Sequence, residues 1–179
     1  MKDFHDLVMM RQSCRNYDEK PVKKEDLLKC LEAARMAPSA CNSQPWHFVA
    51  VTEPETKGKL AKLVQIIGGN KFAEKAPVLV AVCEEPCPKL MQRVLERWDC
   101  KHFAHGDIGI AVAHFVLQAA DIGLATCIMG TFDEKDVKEL LAIPEDQTVR
   151  VVIALGYAAD GVIREKSRKP MEEIATFIE

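Results

Sequence analysis

Gly106-Asp107-Ile108-Gly109-Ile110-Ala111-Val112-Ala113-His114-Phe115-Val116-Leu117-Gln118-Ala119-Ala120-Asp121-Ile122-Gly123 is the stretch that decides how this chain folds. Wound as a helix, it carries Ile108, Ile110, Ala111, Val112, Ala113, Phe115, Val116, Leu117, Ala119, Ala120 and Ile122 on almost every side. A helix that is apolar all round cannot lie on a solvated surface. It must run through a core, or be covered on its far face by another subunit. His114 on this helix reads as a satisfied buried histidine rather than a catalytic base.

Outward from that helix, helical and strand patterns alternate. Apolar residues at helical spacing predict helices over 4–11, 23–37, 54–63 and 88–98, and after Asp133, whose carboxylate suits an N-cap. Short apolar runs predict strands over 46–51, 77–82, 124–129 and 149–157. The run Pro77-Val78-Leu79-Val80-Ala81-Val82 lacks alternation, as in a strand covered on both faces. Such an order implies an α/β or α+β sandwich with helices on a central sheet. The tail from 171 to 179 is amphipathic, and its apolar end predicts docking.

At 179 residues the chain suits a single domain, 1–179, able to bury roughly 70% of its unfolded surface. A net charge of −3 gives no global reason to expect polyanion binding. No apolar run reaches the ~18 residues of a membrane span. The N-terminus Met1-Lys2-Asp3-Phe4-His5-Asp6 does not resemble an export signal, so a cytoplasmic location is expected. Seven scattered cysteines then read as reduced thiols. Cys100, His102 and His105 make only a weak metal pattern, with no obvious fourth ligand.

No GxSxG, HExxH, Walker or GxGxxG motif is present, and no side-chain nucleophile has a base at hand. An enzyme of this sequence would borrow its chemistry from a cofactor. Two polar clusters stand out. In Arg11-Gln12-Ser13-Cys14-Arg15 an extended backbone would point Arg11, Ser13 and Arg15 the same way, toward a phosphate or an oxygen-rich ring. Equally, arginines at a helix end complement its dipole. Ala37-Pro38-Ser39-Ala40-Cys41-Asn42-Ser43-Gln44-Pro45-Trp46 offers many donors and acceptors between prolines, for a heterocycle edge or for a plain structured turn.

These pieces resemble the FMN-dependent nitroreductase family. The likeness runs through Arg11–Tyr17 with Pro21-Val22, Ala33–Phe48, Ala76-Pro77-Val78, Asp107–Ala111, Gly123–Gly130, Ile153–Tyr157 and Arg168-Lys169-Pro170 with Glu172-Glu173-Ile174, in the family's order. It implies an α+β three-layer sandwich, with a central mixed sheet flanked by helices. It also implies a homodimer whose C-terminal segment embraces the partner, with FMN at the interface. Arg11, Ser13 and Arg168 would hold the flavin phosphate, with Lys169 beside them as a second basic residue, and Arg15 would sit near the pyrimidine edge. Pro38, Ser39, Ala40 and Asn42 would reach the ring from the other subunit. Met129 and Gly130 would lie near N5 through backbone groups. Cys14 and Cys41, inside these motifs, read as fillers of small positions. The implied activity is electron transfer from NADH or NADPH to a nitroaromatic, quinone or similar acceptor. The alternatives are a flavin store or sensor without turnover, and a dehalogenase or fragmentation enzyme on the same fold. The stretch 84–105 carries no family motif. It is expected to shape the entrance.

Overall fold

The structure, a computed structural model, describes residues 3–179. Helices α1 (Phe4–Met10), α2 (Lys24–Arg35), α3 (Pro54–Leu63), α4 (Gln92–Leu95), α5 (Ala104–Asp121), α6 (Glu134–Leu141) and α7 (Met171–Ile174) surround five strands. The strands are β1 (Tyr17–Asp18), β2 (Trp46–Val51), β3 (Val78–Glu84), β4 (Ala125–Met129) and β5 (Thr148–Ala158). No helix among the described residues is long and apolar enough to cross a membrane.

The sheet is built on β5. It pairs with β3, with β4 and, at its end, with β1, while β2 pairs with β3. All of these pairs are antiparallel, so the parallel part of the expected mixed sheet reduces to one bridge between Ser13 and Thr126. That bridge lays the chain after α1 alongside β4 before β1 joins β5.

Strand β3 explains why the layers number three. All seven of its residues are buried. Because successive side chains point to opposite faces, Leu79, Ala81 and Cys83 pack toward Leu60 of α3, Val64 just past its end, and Val137 of α6. Val78, Val80 and Val82 pack toward Leu27, Cys30 and Ala34 of α2 and Ile108, Val112 and Phe115 of α5. Phe48 stacks on Phe115 at 6.2 Å.

Gly156 on β5 is fixed by packing. A Cβ there would lie 2.5 Å from Cδ and 2.9 Å from Cγ of Pro77, and 3.0 Å from Cδ1 of Tyr17. Gly156→Ala is therefore expected to cost about 3 kcal/mol and to lower Tm by roughly 10 °C. Gly58→Ala on α3, where a Cβ meets nothing within 4 Å, should instead stabilise by about 0.5–1 kcal/mol. Thermal melts of the two variants check both signs.

Two local expectations are corrected, those for 88–98 and for His114. The surface helix predicted over 88–98 shrinks to Gln92–Leu95. Pro86 and Pro88 bias the residues before them toward extended backbone. Beyond α4, the Asp99 carboxylate accepts from the Lys101 N–H at 2.7 Å and turns the chain. The C-terminal tail is helical over Met171–Ile174, and the apolar Phe177 and Ile178 stand exposed on the single chain. His114 is only partly buried, although its Nδ1 is satisfied by the Ile110 carbonyl at 2.8 Å.

Candidate functional site

Helix α1 stops at Met10, and Arg11 already has extended backbone (φ −60°, ψ 124°). The following residues run beside β4, with the Cys14 N–H donating to the Thr126 carbonyl at 2.8 Å. An extended path turns alternate side chains one way. Arg11, Ser13 and Arg15 line one cleft of about 260 Å³, and Gln12, Arg164, Glu165, Lys166, Ser167 and Arg168 complete its walls. Of the two sequence-level readings of the arginines, extended backbone prevails over helix capping.

The second wall of the cleft, 162–168, is zipped to the first. Gln12 Nε2 donates to the Val162 carbonyl at 2.6 Å, and Gln12 Oε1 accepts from the Arg164 backbone N–H at 3.1 Å and from its Nε at 3.2 Å. The Arg164 guanidinium also donates to the Ser13 carbonyl, and Lys166 Nζ donates to the Met9 carbonyl. Arg168 turns one guanidinium nitrogen onto the Ser167 carbonyl at 2.6 Å.

Electrostatically the cleft is one-sided. Arg11, Arg15, Arg164, Lys166 and Arg168 line it against the single acid Glu165, in a chain of net charge −3. None of the five forms a salt bridge among the described residues. The Lys166 pKa is pushed down from its ordinary value, first by desolvation and then by the charges of Arg11, Arg168 and Arg164. Such a concentration of like charge would attract an anion, and guanidinium forks suit phosphate oxygens.

A depressed lysine pKa disfavours the charged form, so the ligand-free fold carries that cost at pH below it and loses the cost as pH rises through it. A phosphate in the cleft reverses the effect by favouring charged Lys166. Affinity for a phosphate-bearing ligand is expected to fall on the alkaline side at a lower pH than an ordinary lysine would dictate. Lys166→Met should flatten that limb, weaken binding several-fold at pH 7 and raise the Tm of the ligand-free protein. Titrations across the alkaline range and paired melts measure all three.

The proline-bracketed segment lies elsewhere. Pro38 and Asn42 are exposed, and Ser39 and Ala40 are half-buried. The Ala40 N–H donates to the Asp107 carboxylate at 3.1 Å, which pins the segment to the first turn of α5. Ser39 Oγ accepts from the Gln44 N–H at 2.9 Å. Cys41, Asn42 and Gln44 have φ of 52°, 52° and 48°. Three left-handed non-glycine residues in so short a stretch store strain, which concentrates at ligand sites.

Arg11 and Gln12, by contrast, share a cavity wall with Ala120, Gly123 and Leu124 at the far end of α5. From Asp107 to Ala120 the helix rises about 20 Å. Within one chain, Arg11 and the Ala40 segment therefore stand at opposite ends of α5. Met129 closes β4 with its side chain buried, leaving only main-chain groups to offer, and Gly130 beside it is exposed. Thr131 next in line accepts from the Asn70 carboxamide at 3.0 Å.

Between these ends α5 presents an open apolar groove of about 690 Å³. Phe4, Leu7, Ala33, Gly109, Ile110 and Ala113 are among its lining residues. Gly106 and Gly109 sit there on successive turns, yet a Cβ at either would meet nothing within 4 Å. A mid-helix glycine costs about 1 kcal/mol relative to alanine, and nothing in this chain requires it.

Arg164 and Lys166 were not singled out in the sequence, although Arg164-Glu165-Lys166-Ser167-Arg168 repeats the period-two spacing of Arg11-Gln12-Ser13-Cys14-Arg15. No group of three or more metal-binding side chains comes together among the described residues, so Cys100, His102 and His105 are not gathered as a metal site.

The chain is thus an α+β sandwich with a basic cleft at one end of its long helix and a strained loop at the other. The chain matches the nitroreductase family over residues 8–157 and belongs to that family of oxidoreductases. A protein of Archaeoglobus fulgidus bearing the name NADH dehydrogenase/NAD(P)H nitroreductase is 31% identical over 166 residues, covering 89% of this chain and 88% of its own. An iodotyrosine deiodinase of Thermotoga neapolitana is 24% identical over 190 residues, covering 97% and 96%. The crystal structure of a nitroreductase family protein from Streptococcus pneumoniae superposes with a TM-score of 0.86 at 25% identity, covering 98% of this chain and 100% of that one.

Proposed function

We propose that this chain is an FMN-dependent oxidoreductase working as a homodimer, with each flavin held between the basic cleft of one subunit and the Pro38–Asn42 loop of the other. The observation that carries this reading is the cleft of five cations, none of which forms a salt bridge among the described residues. Its donors fit a phosphate group, and its volume of about 260 Å³ falls below the ~300–1,000 Å³ of a complete ligand pocket. The remainder of the ligand must lie beyond the cleft.

The split geometry supports a twofold partner. If two copies of α5 cross antiparallel, the Arg11 end of one meets the Ala40 end of the other. Gly106 and Gly109 then have a reason, since small residues let a second helix approach closely. Exposed Phe4, Leu28, Met36 and Ile110 would be covered on the same face.

Arg11, Ser13, Lys166 and Arg168 would hold the phosphate, with Arg164 bracing Ser13. Arg15 would lie by the pyrimidine edge and favour negative charge there. Ser39, Ala40 and Asn42 would present backbone and amide groups to the ring across the interface, with Pro38 packed beside them. Met129 and Gly130 would contribute main-chain groups. Bound FMN would supply the redox chemistry, accepting hydride from NADH or NADPH and passing electrons to a nitroaromatic, quinone or similar acceptor.

Purified protein should be yellow or take up FMN, bleach with NADH or NADPH without oxygen, and recolour with a nitroaromatic or quinone. Failure to bind FMN contradicts the reading, and persistent yellow means binding without turnover. The likeness to a deiodinase over nearly the whole chain favours halogenated phenols as the second acceptor class to assay, by halide release.

A further inference from the structure

We propose that Lys166 is a modification site: small acyl phosphates enter the basic cleft and pass their acyl group to its amine, which then excludes the flavin phosphate. The proposal rests on the reading of the cleft as a phosphate site and adds to it a second ligand class and a means of regulation.

The cleft measures about 260 Å³, short of the ~300–1,000 Å³ of a complete ligand pocket but sufficient for a small phosphate compound. Arg11, Ser13 and Arg168 line it as donors for phosphate oxygens. Four of its five cations are arginines, whose guanidinium stays protonated and does not act as a nucleophile. Lys166 is the one amine among the described residues that line it. Its Nζ donates to the Met9 carbonyl, two residues before Arg11, so the nitrogen is anchored to the wall that carries Arg11 and Ser13. A neutral amine keeps two N–H groups, enough to hold Met9 while its lone pair is free for a ligand.

Other lysines are engaged differently. Lys29, Lys59 and Lys62 lie 2.8, 2.7 and 2.6 Å from the carboxylates of Asp26, Glu55 and Glu74, and those hydrogen bonds push the Lys29 and Lys59 pKa values up. Lys169, three residues beyond Lys166, is the more exposed of the two and stands 3.8 Å from Glu173. Lys166 has no carboxylate partner among the described residues, and desolvation followed by the charges of Arg11, Arg168 and Arg164 lowers its pKa. A bound phosphate offsets that lowering. The advantage of Lys166 therefore comes chiefly from proximity, because a held acyl carbon meets the amine at a high effective concentration.

Chemically, the neutral Lys166 nitrogen attacks the acyl carbon. The bond from that carbon to the bridging oxygen breaks, and its electron pair stays on the oxygen. The surplus proton of the nitrogen passes to the departing phosphate. One amine and one acyl phosphate give one amide and one hydrogen phosphate, with no change of oxidation state. The amide is uncharged and bulkier, so the cleft loses a cation and space together.

Full-chain protein, without flavin and with saturating FMN, is incubated with acetyl phosphate, and acetylated lysines are quantified by peptide mass mapping. Lys166 is expected to label on the order of tenfold faster than Lys169. Inorganic phosphate should slow Lys166 and leave Lys169 unaffected, and acetic anhydride, which carries no phosphate, should show no such preference. The acetylated protein should bind FMN on the order of tenfold more weakly. Lys166→Arg, which keeps the charge without the nucleophile, should retain its FMN affinity through the same treatment. Equal labelling of Lys166 and Lys169, no competition by inorganic phosphate, or the same preference with acetic anhydride would overturn the proposal. If inorganic phosphate protects Lys166 and FMN does not, acylation stands and the flavin reading of the cleft falls. If FMN binds tightly and Lys166 stays unlabelled without it, the flavin reading stands and acylation falls.

Discussion

Arg11→Ala is expected to weaken FMN binding on the order of a hundredfold and to leave riboflavin binding unchanged. Arg11 lines the cleft beside Ser13, Lys166 and Arg168 and forms no salt bridge among the described residues. A charged hydrogen bond of this kind contributes about 1.5–3 kcal/mol, and each 1.4 kcal/mol is a factor of ten. Removing the guanidinium also relieves part of the repulsion that, after desolvation, depresses the Lys166 pKa, so the ligand-free protein should not lose stability. Calorimetric titration with both flavins separates the possibilities. Equal losses for FMN and riboflavin would show that Arg11 does not act on the phosphate.

Gly109→Glu is expected to convert the protein to monomers and to abolish flavin binding in the same step. A Cβ at Gly109 meets nothing within 4 Å, and replacing a mid-helix glycine should favour α5 by up to about 1 kcal/mol. The single chain therefore tolerates the change. Across an antiparallel α5 pair, the same carboxylate would be buried against apolar residues without a partner, which costs several kcal/mol. Sedimentation should report half the parent mass with circular dichroism unchanged, and the solution should be colourless. A yellow monomer would show that one chain suffices to hold the cofactor.

The layers of the fold were legible in the sequence because both central strands are buried on two faces. Val78–Val82, the bulk of β3, and Val151–Leu155 in the middle of β5 read as continuous apolar runs, and tertiary packing had no cause to override them. Helix α5 was legible for a different reason. Its surplus of apolar residues could not be solvated, although the sequence left open whether core or partner covers the far face. The segment 88–98 misled because its helical spacing competes with Pro86, Pro88 and the clustering of Trp98, His102 and Phe103, contacts that spacing alone does not carry.

At the site, Arg11, Ser13, Arg15 and Arg168 fall into one cleft, while Pro38–Asn42 lies at the other end of α5. Lys166 and Arg164 escaped notice because their approach to residues 9–13 spans some 150 positions. Only their alternation with Arg168 hinted at an extended wall. The strain at Cys41, Asn42 and Gln44 leaves little trace in residue type, since only asparagine among them favours the left-handed region.

Subunit mixing decides whether the two ends of α5 serve one ligand. A cleft variant, Arg11→Ala with Lys166→Met, and a loop variant, Asn42→Trp, are each expected to bind no flavin alone. Co-expressed, they should recover about one quarter of the parent flavin content, since half the dimers are mixed and each mixed dimer rebuilds one intact site across its twofold axis. If co-expression recovers no flavin while mixed dimers form, cleft and loop act within a single chain, and the composite site is refuted.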